Sequence, residues 1–253
     1  MDEEKFRELS DKLGLSIEEY KKDKIYSSRH TKEFVKIECI TEIEGTFKEI
    51  KRLFIKSQRI LILGGNETGK TALGFTILNN IDFLTKRTCY ALGFDRKILP
   101  RFIHRILNPS WIPTDSAELV DEAGIFLNSR LGQKRSRLPM SSLMMTARQQ
   151  NDSLIYITQN SAKIDIDALR FCDVLLIKEL GMFQSLFERK QLKPIFELSK
   201  QCFDSIEPKE RVKYFFMFSD YFVGFVKYEL PEFWSDKLSN AFKRTSKTKT
   251  FVT

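Results

Sequence analysis

The chain has 253 residues, and its 42 Lys plus Arg against 34 Asp plus Glu give a formal net charge of +8. With 42% hydrophobic and 30% charged residues it has ordinary globular composition, which excludes a disordered, collagen-like or disulfide-stapled chain and fits one compact domain with an appendage. Its 22 Phe predict a core rich in aromatic rings.

Residues 2 to about 24 read as helical, with Phe6, Leu9, Leu13 and Ile17 at spacings of three and four and Gly14 able to split the run. This opening segment is mixed in charge, with eight acids and six bases in its first 24 residues. Phe34–Ile43 alternates apolar and polar and predicts a strand; Phe47–Lys56 predicts a short helix. Arg59–Leu63 is a buried strand ending at Gly64-Gly65, and Thr71–Leu84 comes next as a helix with Leu73, Ile77, Leu78 and Ile81 on one face. Thr88–Leu92 reads as a strand, Ile98–Leu107 as a helix, Glu118–Val120 as a short strand and Leu138–Gln150 as a helix. Leu154–Thr158 and Val174–Ile177 are further strands, and Met182 to about Ile206 is a long helical stretch broken by Pro194. Val212–Phe218 and Tyr221–Glu229 predict an antiparallel hairpin turning at Ser219-Asp220, and Pro231–Phe242 closes the folded chain.

Strands alternating with helices predict an α/β domain with a mainly parallel sheet. The expected division is a helical appendage at 1–30, a core domain at 31–242 and a basic tail at 243–253. No run approaches the roughly 18–20 apolar residues of a spanning helix; the nearest, Tyr214–Tyr228, is interrupted by Ser219, Asp220, Gly224 and Lys227. The opening Met1-Asp2-Glu3-Glu4-Lys5 lacks a secretory pattern, so a cytoplasmic chain is expected. Cys39, Cys89, Cys172 and Cys202 form no C-x-x-C pair and read as reduced, mostly buried thiols; His30 and His104 are too few and too separated for a zinc site.

The motif Gly64-Gly65-Asn66-Glu67-Thr68-Gly69-Lys70-Thr71 fits G-x-x-x-x-G-K-[ST] between a strand and a helix. Gly64 and Gly69 let the backbone wrap a phosphate without Cβ clashes. The amides of residues 66–71 and the helix start, at Thr71 and Ala72, aim partial positive charge at the anion. Lys70 reaches the β- and γ-phosphates and the Thr71 hydroxyl ligates Mg2+. Glu67, an anion within the loop, is tolerable with its side chain in solvent. ATP and Mg2+ are therefore the expected cofactors.

About fifty residues later, Glu118-Leu119-Val120-Asp121-Glu122 ends a short strand in two acids. Asp121 is the candidate metal ligand and Glu122 the general base for the attacking water; the competing reading is an Asp-Glu pair in a surface turn. Leu154–Thr158 ends at Gln159, which would face the γ-phosphate if that strand lies between the loop strand and the acidic strand. Arg148, eleven residues before Gln159, is a candidate arginine finger reaching a neighbouring subunit, with Arg130, Arg135 and Arg137 as rivals.

Together the loop Gly64–Thr71, the pair Asp121-Glu122, the strand ending Thr158-Gln159 and Arg148 upstream of it resemble the FtsK–HerA superfamily of P-loop ATPases, which includes double-stranded DNA translocases and viral packaging ATPases. The stretch Ile164–Asp173 is similar to the segment after the glutamine in packaging and Zot-like members. The resemblance spans roughly residues 55–180. It implies a P-loop NTPase fold of the RecA-like ASCE type and a catalytic set of Lys70, Glu122, Gln159 and Arg148. It also implies a homo-oligomeric ring, such as a hexamer, in which Arg148 serves the adjacent subunit. Double-stranded DNA is the implied partner, a capsid or assembly protein a further one, and virion association an option beside the cytoplasm. Glu118 departs from the pattern by interrupting the acidic strand. The large membrane, linker and DNA-reading regions of cell-division translocases, and the Zot-like transmembrane segment, have no counterpart here.

The charge pattern agrees with a polyanionic partner. Ala123–Asn151 contains no acid but holds Arg130, Lys134, Arg135, Arg137 and Arg148, and the tail carries Lys243, Arg244, Lys247 and Lys249. Lys86, Arg87, Arg96, Lys97, Arg101 and Arg105 form a second basic segment able to line a pore. Three other readings compete with the DNA motor: an assembly ATPase acting on a protein, a small-molecule kinase, and a nucleotide-gated binding module that does not hydrolyse usefully.

Overall fold

The computed structural model describes residues 30–31, 33–106, 112–121, 140–159, 166–181 and 192–241. The expected appendage, the basic tail, Glu122 and the bases at 130–137 lie outside the described residues.

In chain order the strands are β1 (Ile37–Gly45), β2 (Arg59–Leu63), β3 (Cys89–Leu92), β4 (Ile103–Ile106), β5 (Ala117–Asp121), β6 (Ser153–Thr158), β7 (Val174–Ile177), β8 (Tyr214–Ser219) and β9 (Phe222–Tyr228). The α-helices are α1 (Arg52–Ile55), α2 (Lys70–Thr85), α3 (Met140–Gln150), α4 (Ile166–Phe171), α5 (Lys193–Asp204) and α6 (Asp236–Ser239). One sheet holds all nine strands in the order β1-β9-β8-β7-β2-β6-β5-β3-β4. From β7 to β4 every neighbouring pair is parallel; β8, β9 and β1 add an antiparallel group at one edge. This is the expected α/β architecture, a P-loop NTPase fold with the hairpin built onto the sheet.

The central strand shows why its sequence is apolar without alternation. Ile60 and Ile62 pack in one core layer with Leu73, Ile77 and Ile81 of α2, while Leu61 and Leu63 pack in the other with Leu143, Met144 and Ala147 of α3. A parallel strand covered on both faces has no polar side to show. α2 is likewise buried nearly all round and carries buried polar residues that need partners. Asn80 supplies them for the incoming chain: its Oδ1 accepts from the Val35 amide at 2.8 Å and its Nδ2 donates to the Val35 carbonyl at 3.0 Å. Asn79 donates to the Glu33 carbonyl at 2.8 Å, and Asp82 accepts from the Thr31 amide at 2.6 Å with the His30 ring 2.8 Å away. His30, Thr31, Glu33 and Val35 are thereby fastened to α2.

Several predicted elements are corrected. The helix expected at 98–107 is instead a 3-10 turn, Arg96–Ile98, followed by β4. Its apolar residues serve a strand that pairs with β3, and Ile103 and Ile106 are both buried. The strand expected from Phe34 begins at Ile37, because residues 33–35 spend their backbone groups on α2. The helix expected at 47–56 is a 3-10 turn, Phe47–Lys51, running into one turn of α-helix. Of the helical stretch expected from 182, residues 182–191 lie outside the described residues, and Pro194 stands in the first turn of α5, where a residue without an amide proton is tolerated. The four cysteines are free thiols, but only Cys89 is buried and the other three are half-buried.

The Phe-rich hairpin is core except at the exposed Phe218. Phe225 packs edge-on to Phe203 with centroids 5.0 Å apart and stacks on Tyr214 at 5.4 Å. No helix among the described residues is long and apolar enough to cross a membrane.

Candidate nucleotide site

The site forms where β2, β5, β6 and β7 end. β2 delivers the chain into residues 64–69, and α2 starts at Lys70. Gly69, just before the helix, is left-handed at φ 86°, a conformation that an L side chain resists. A Cβ at Gly64 would come within 2.6 Å of the Lys178 Cβ. Both glycines are thus required by geometry. Glu67 also adopts φ 59° and is exposed, as its tolerance within the loop requires. The loop is closed by Thr68 Oγ1 donating to the Gly65 carbonyl at 3.0 Å and tied to the sheet by the Gly65 amide donating to the Glu179 carbonyl at 2.8 Å.

Lys70 is 6% exposed and its Nζ donates to the Gly65 carbonyl. Burial lowers its pKa to about 8, with the Asp121 carboxylate opposing the shift. The neighbouring Thr71 Oγ1 donates to Asp121 Oδ2 at 3.1 Å, across the sheet-to-helix gap. Asp121 ends β5 and pairs in register with Ile157 of β6, so Gln159 stands two residues beyond that partner. β6 lies between β2 and β5, the placement on which the reading of Gln159 depends. Asn66 to Ala72, Asp121 and Gln159 line one cleft of about 830 Å³.

The sequence patterns do not reveal the other wall of that cleft. Val212, Lys213, Tyr228, Leu230, Trp234 and Leu238 line it as well, brought there by the hairpin and the segment after it. Nor do they reveal Lys178, which stands directly after β7 and is fully buried. Burial, then the nearby Lys70 charge, push its pKa well below the ordinary lysine range, against the pull of Glu179. The sequence does carry a trace of it: Val174–Ile177 runs into a charged residue, as the strands that lead to Asp121 and Gln159 run into polar ones. Arg148 sits near the end of α3 with its side chain exposed, away from the residues that line the cleft. Among the described residues no group of three or more His, Cys, Asp or Glu gathers to hold a metal. The Thr71 hydroxyl and Asp121 carboxylate nevertheless suit a hard cation that takes its remaining ligands from phosphate oxygens and water.

No protein-family model matches the chain, and no curated protein matches it in sequence. Solved structures with a similar fold include the genome-packaging NTPase B204 from Sulfolobus turreted icosahedral virus 2 in complex with AMPPCP. That likeness has 10% identity and a TM-score of 0.48, and covers 69% of this chain and 99% of that one. The EssC ATPases 2 and 3 from Geobacillus thermodenitrificans align with 9% identity and a TM-score of 0.40, over 69% of this chain and 40% of theirs. A KaiC-like protein of Pyrococcus horikoshii aligns with 12% identity and a TM-score of 0.38, over 58% of this chain and 83% of its own. These are likenesses of backbone architecture.

Proposed function

We propose that the chain is an ATP-hydrolysing motor that moves or packages double-stranded DNA as a homo-oligomeric ring, of viral or mobile-element type. The observation that carries the nucleotide part is the 3.1 Å contact of Thr71 with Asp121 beside Lys70, at the mouth of a glycine-lined loop. Residues fifty positions apart meet beside the loop, which supports a metal-bound triphosphate there.

Each residue then has a task. The loop amides and the start of α2 hold the β- and γ-phosphates, and Lys70 adds its charge. Mg2+, when bound, neutralises phosphate charge, and Thr71 and Asp121 are the residues that would hold it. Glu122, next after Asp121, accepts the proton of the attacking water, and Gln159 orients that water. The exposed Arg148 serves the neighbouring subunit's nucleotide across a ring contact. The basic excess and the resemblance of the motif set support DNA as the polymer, bound through phosphates and therefore sensitive to salt.

The test is phosphate release from ATP by the purified chain, with and without duplex DNA at low salt. Stimulation by DNA is expected, together with a Glu122→Gln variant that binds ATP but turns over about 100-fold more slowly or less. A Glu122→Gln variant with intact turnover points to a small-molecule kinase instead. Turnover that duplex DNA leaves unchanged removes the DNA part of the reading and favours a protein substrate.

A further inference from the structure

Beneath the phosphate loop lies a lysine that the proposed hydrolysis does not use. Lys178 is 0% exposed, and an amine is tolerated in an interior only where acceptors meet its N–H groups. Its Nζ donates to the carbonyls of Val212 at 2.6 Å and Tyr214 at 2.5 Å, and lies 3.3 Å from the Tyr228 hydroxyl. That hydroxyl has one proton to give and two carbonyls in reach, Val212 at 2.9 Å and Gly69 at 3.2 Å. On the next residue, the Glu179 carbonyl accepts from the loop's Gly65 amide while its carboxylate pairs with Arg211 at 2.5 Å. Residues 178 and 179 thus grip the phosphate loop on one side and the turn 211–213 on the other.

That turn is a single 3-10 turn, yet Val212 and Lys213 line the nucleotide cleft. β7, β8 and β9 lie on the opposite side of β2 from β6 and β5. A triphosphate whose terminal phosphate lies toward Asp121 and Gln159 therefore extends its nucleoside end toward Val212, Tyr228, Leu230 and Trp234. This wall is largely apolar and aromatic, as a ribose and purine base require.

We propose that Lys178 is a positioning residue that sets this nucleoside-side wall against the phosphate loop, so that preference for a nucleoside triphosphate over a bare polyphosphate depends on it. The proposal rests on the nucleotide function proposed for the same cleft. Three hydrogen bonds from a single amine gather Val212, Tyr214 and Tyr228 of the wall onto residue 178, and the link to the loop is made beside it, by the Glu179 carbonyl that accepts from the Gly65 amide and by the Tyr228 hydroxyl 3.2 Å from the Gly69 carbonyl.

The test titrates the full chain with ATP and with tripolyphosphate, both with Mg2+. Lys178→Met keeps the length of the side chain and removes its donors. Its ATP affinity is expected to fall about tenfold, as loss of the hydrogen bonds that hold the wall predicts, while tripolyphosphate affinity changes less than about twofold. An unchanged ATP affinity, or an equal loss for both ligands, overturns the proposal. Tyr228→Phe deletes only the bridging hydroxyl and decides the matter if Lys178→Met does not fold. It is expected to lose about threefold in ATP affinity, with tripolyphosphate unaffected, and absence of that selective loss overturns the proposal. Wild-type protein that binds neither ligand overturns the nucleotide function itself, a result distinct from a loss of selectivity.

Discussion

Lys70 and Glu118 are both buried ionisable residues, and they are buried for different reasons. Lys70 lies against a carbonyl and a carboxylate that keep it at the loop, and burial acts against its charge. A side chain held in that way serves binding at the expense of stability. Lys70→Met is therefore expected to lower turnover about 100-fold or more while leaving the melting temperature equal to or above wild type, measured by phosphate release and thermal denaturation. Glu118 lies in β5, 5% exposed, opposite Tyr90 of β3 and Leu154 of β6. Burial, with Asp152 adding to it, raises its pKa well above 4.5. A carboxyl raised in the folded state is bound as the neutral acid, so ionisation costs stability as pH climbs from 4.5 toward the folded value. Glu118→Gln should then gain stability over wild type as pH rises through that window. Urea unfolding at about pH 4.5 and about pH 8 checks this, and a constant difference between the two would disprove it.

At the scale of elements, the phosphate loop is held from behind as well as by its own turn. β7 continues into Lys178 and Glu179, whose backbone and side chains take up the loop, the turn 211–213 and the hairpin. The incoming chain shows the same device on α2, where side-chain amides replace strand pairing for residues 33–35. Asn80→Ala leaves two buried backbone groups of Val35 without partners, a cost of about 1–3 kcal/mol. Urea denaturation should register that loss, and limited proteolysis should cut near residue 35 sooner than in wild type.

At the scale of the molecule, the parallel sheet sorts the basic residues of 86–105 by end. Lys86 and Arg87 precede β3, and Arg101 precedes β4, so they sit at the ends opposite the nucleotide cleft. Arg96 and Lys97 come after β3 and share the edge with the cleft. Arg87 is moreover committed to the Ser153 hydroxyl at 3.0 Å. These five bases are therefore divided between the two ends of the sheet, with Arg105 within β4. DNA contacts, on the proposed function, come to one edge of the sheet from Arg96 and Lys97. Lys97→Ala with Arg96→Ala should reduce DNA stimulation and flatten its salt dependence while basal ATP turnover stays within about twofold, measured across a salt series. Arg148→Ala is expected to abolish turnover alone and recover part of it when mixed with Lys70→Met subunits, since each would supply what the other lacks. Mixtures no more active than their separate components would rule out a shared site.

Most of the sheet is legible in the order of residues, because a strand covered on both faces must be apolar throughout and a phosphate loop needs glycine where the backbone turns left-handed. Arg59–Leu63, Val174–Ile177, the motif Gly64–Thr71 and the hairpin all arise from such local demands. The region around β4 departs from its helical expectation because Ile98–Leu107 has apolar residues that suit either period, and only the partner strand β3 settles which is used. The reach of Thr71 to Asp121, the seat of Gln159 in the same cleft and the burial of Lys178 under the loop depend on strand order. That order is fixed by which faces pack against which helices, across separations of fifty residues and more, and no local pattern encodes it.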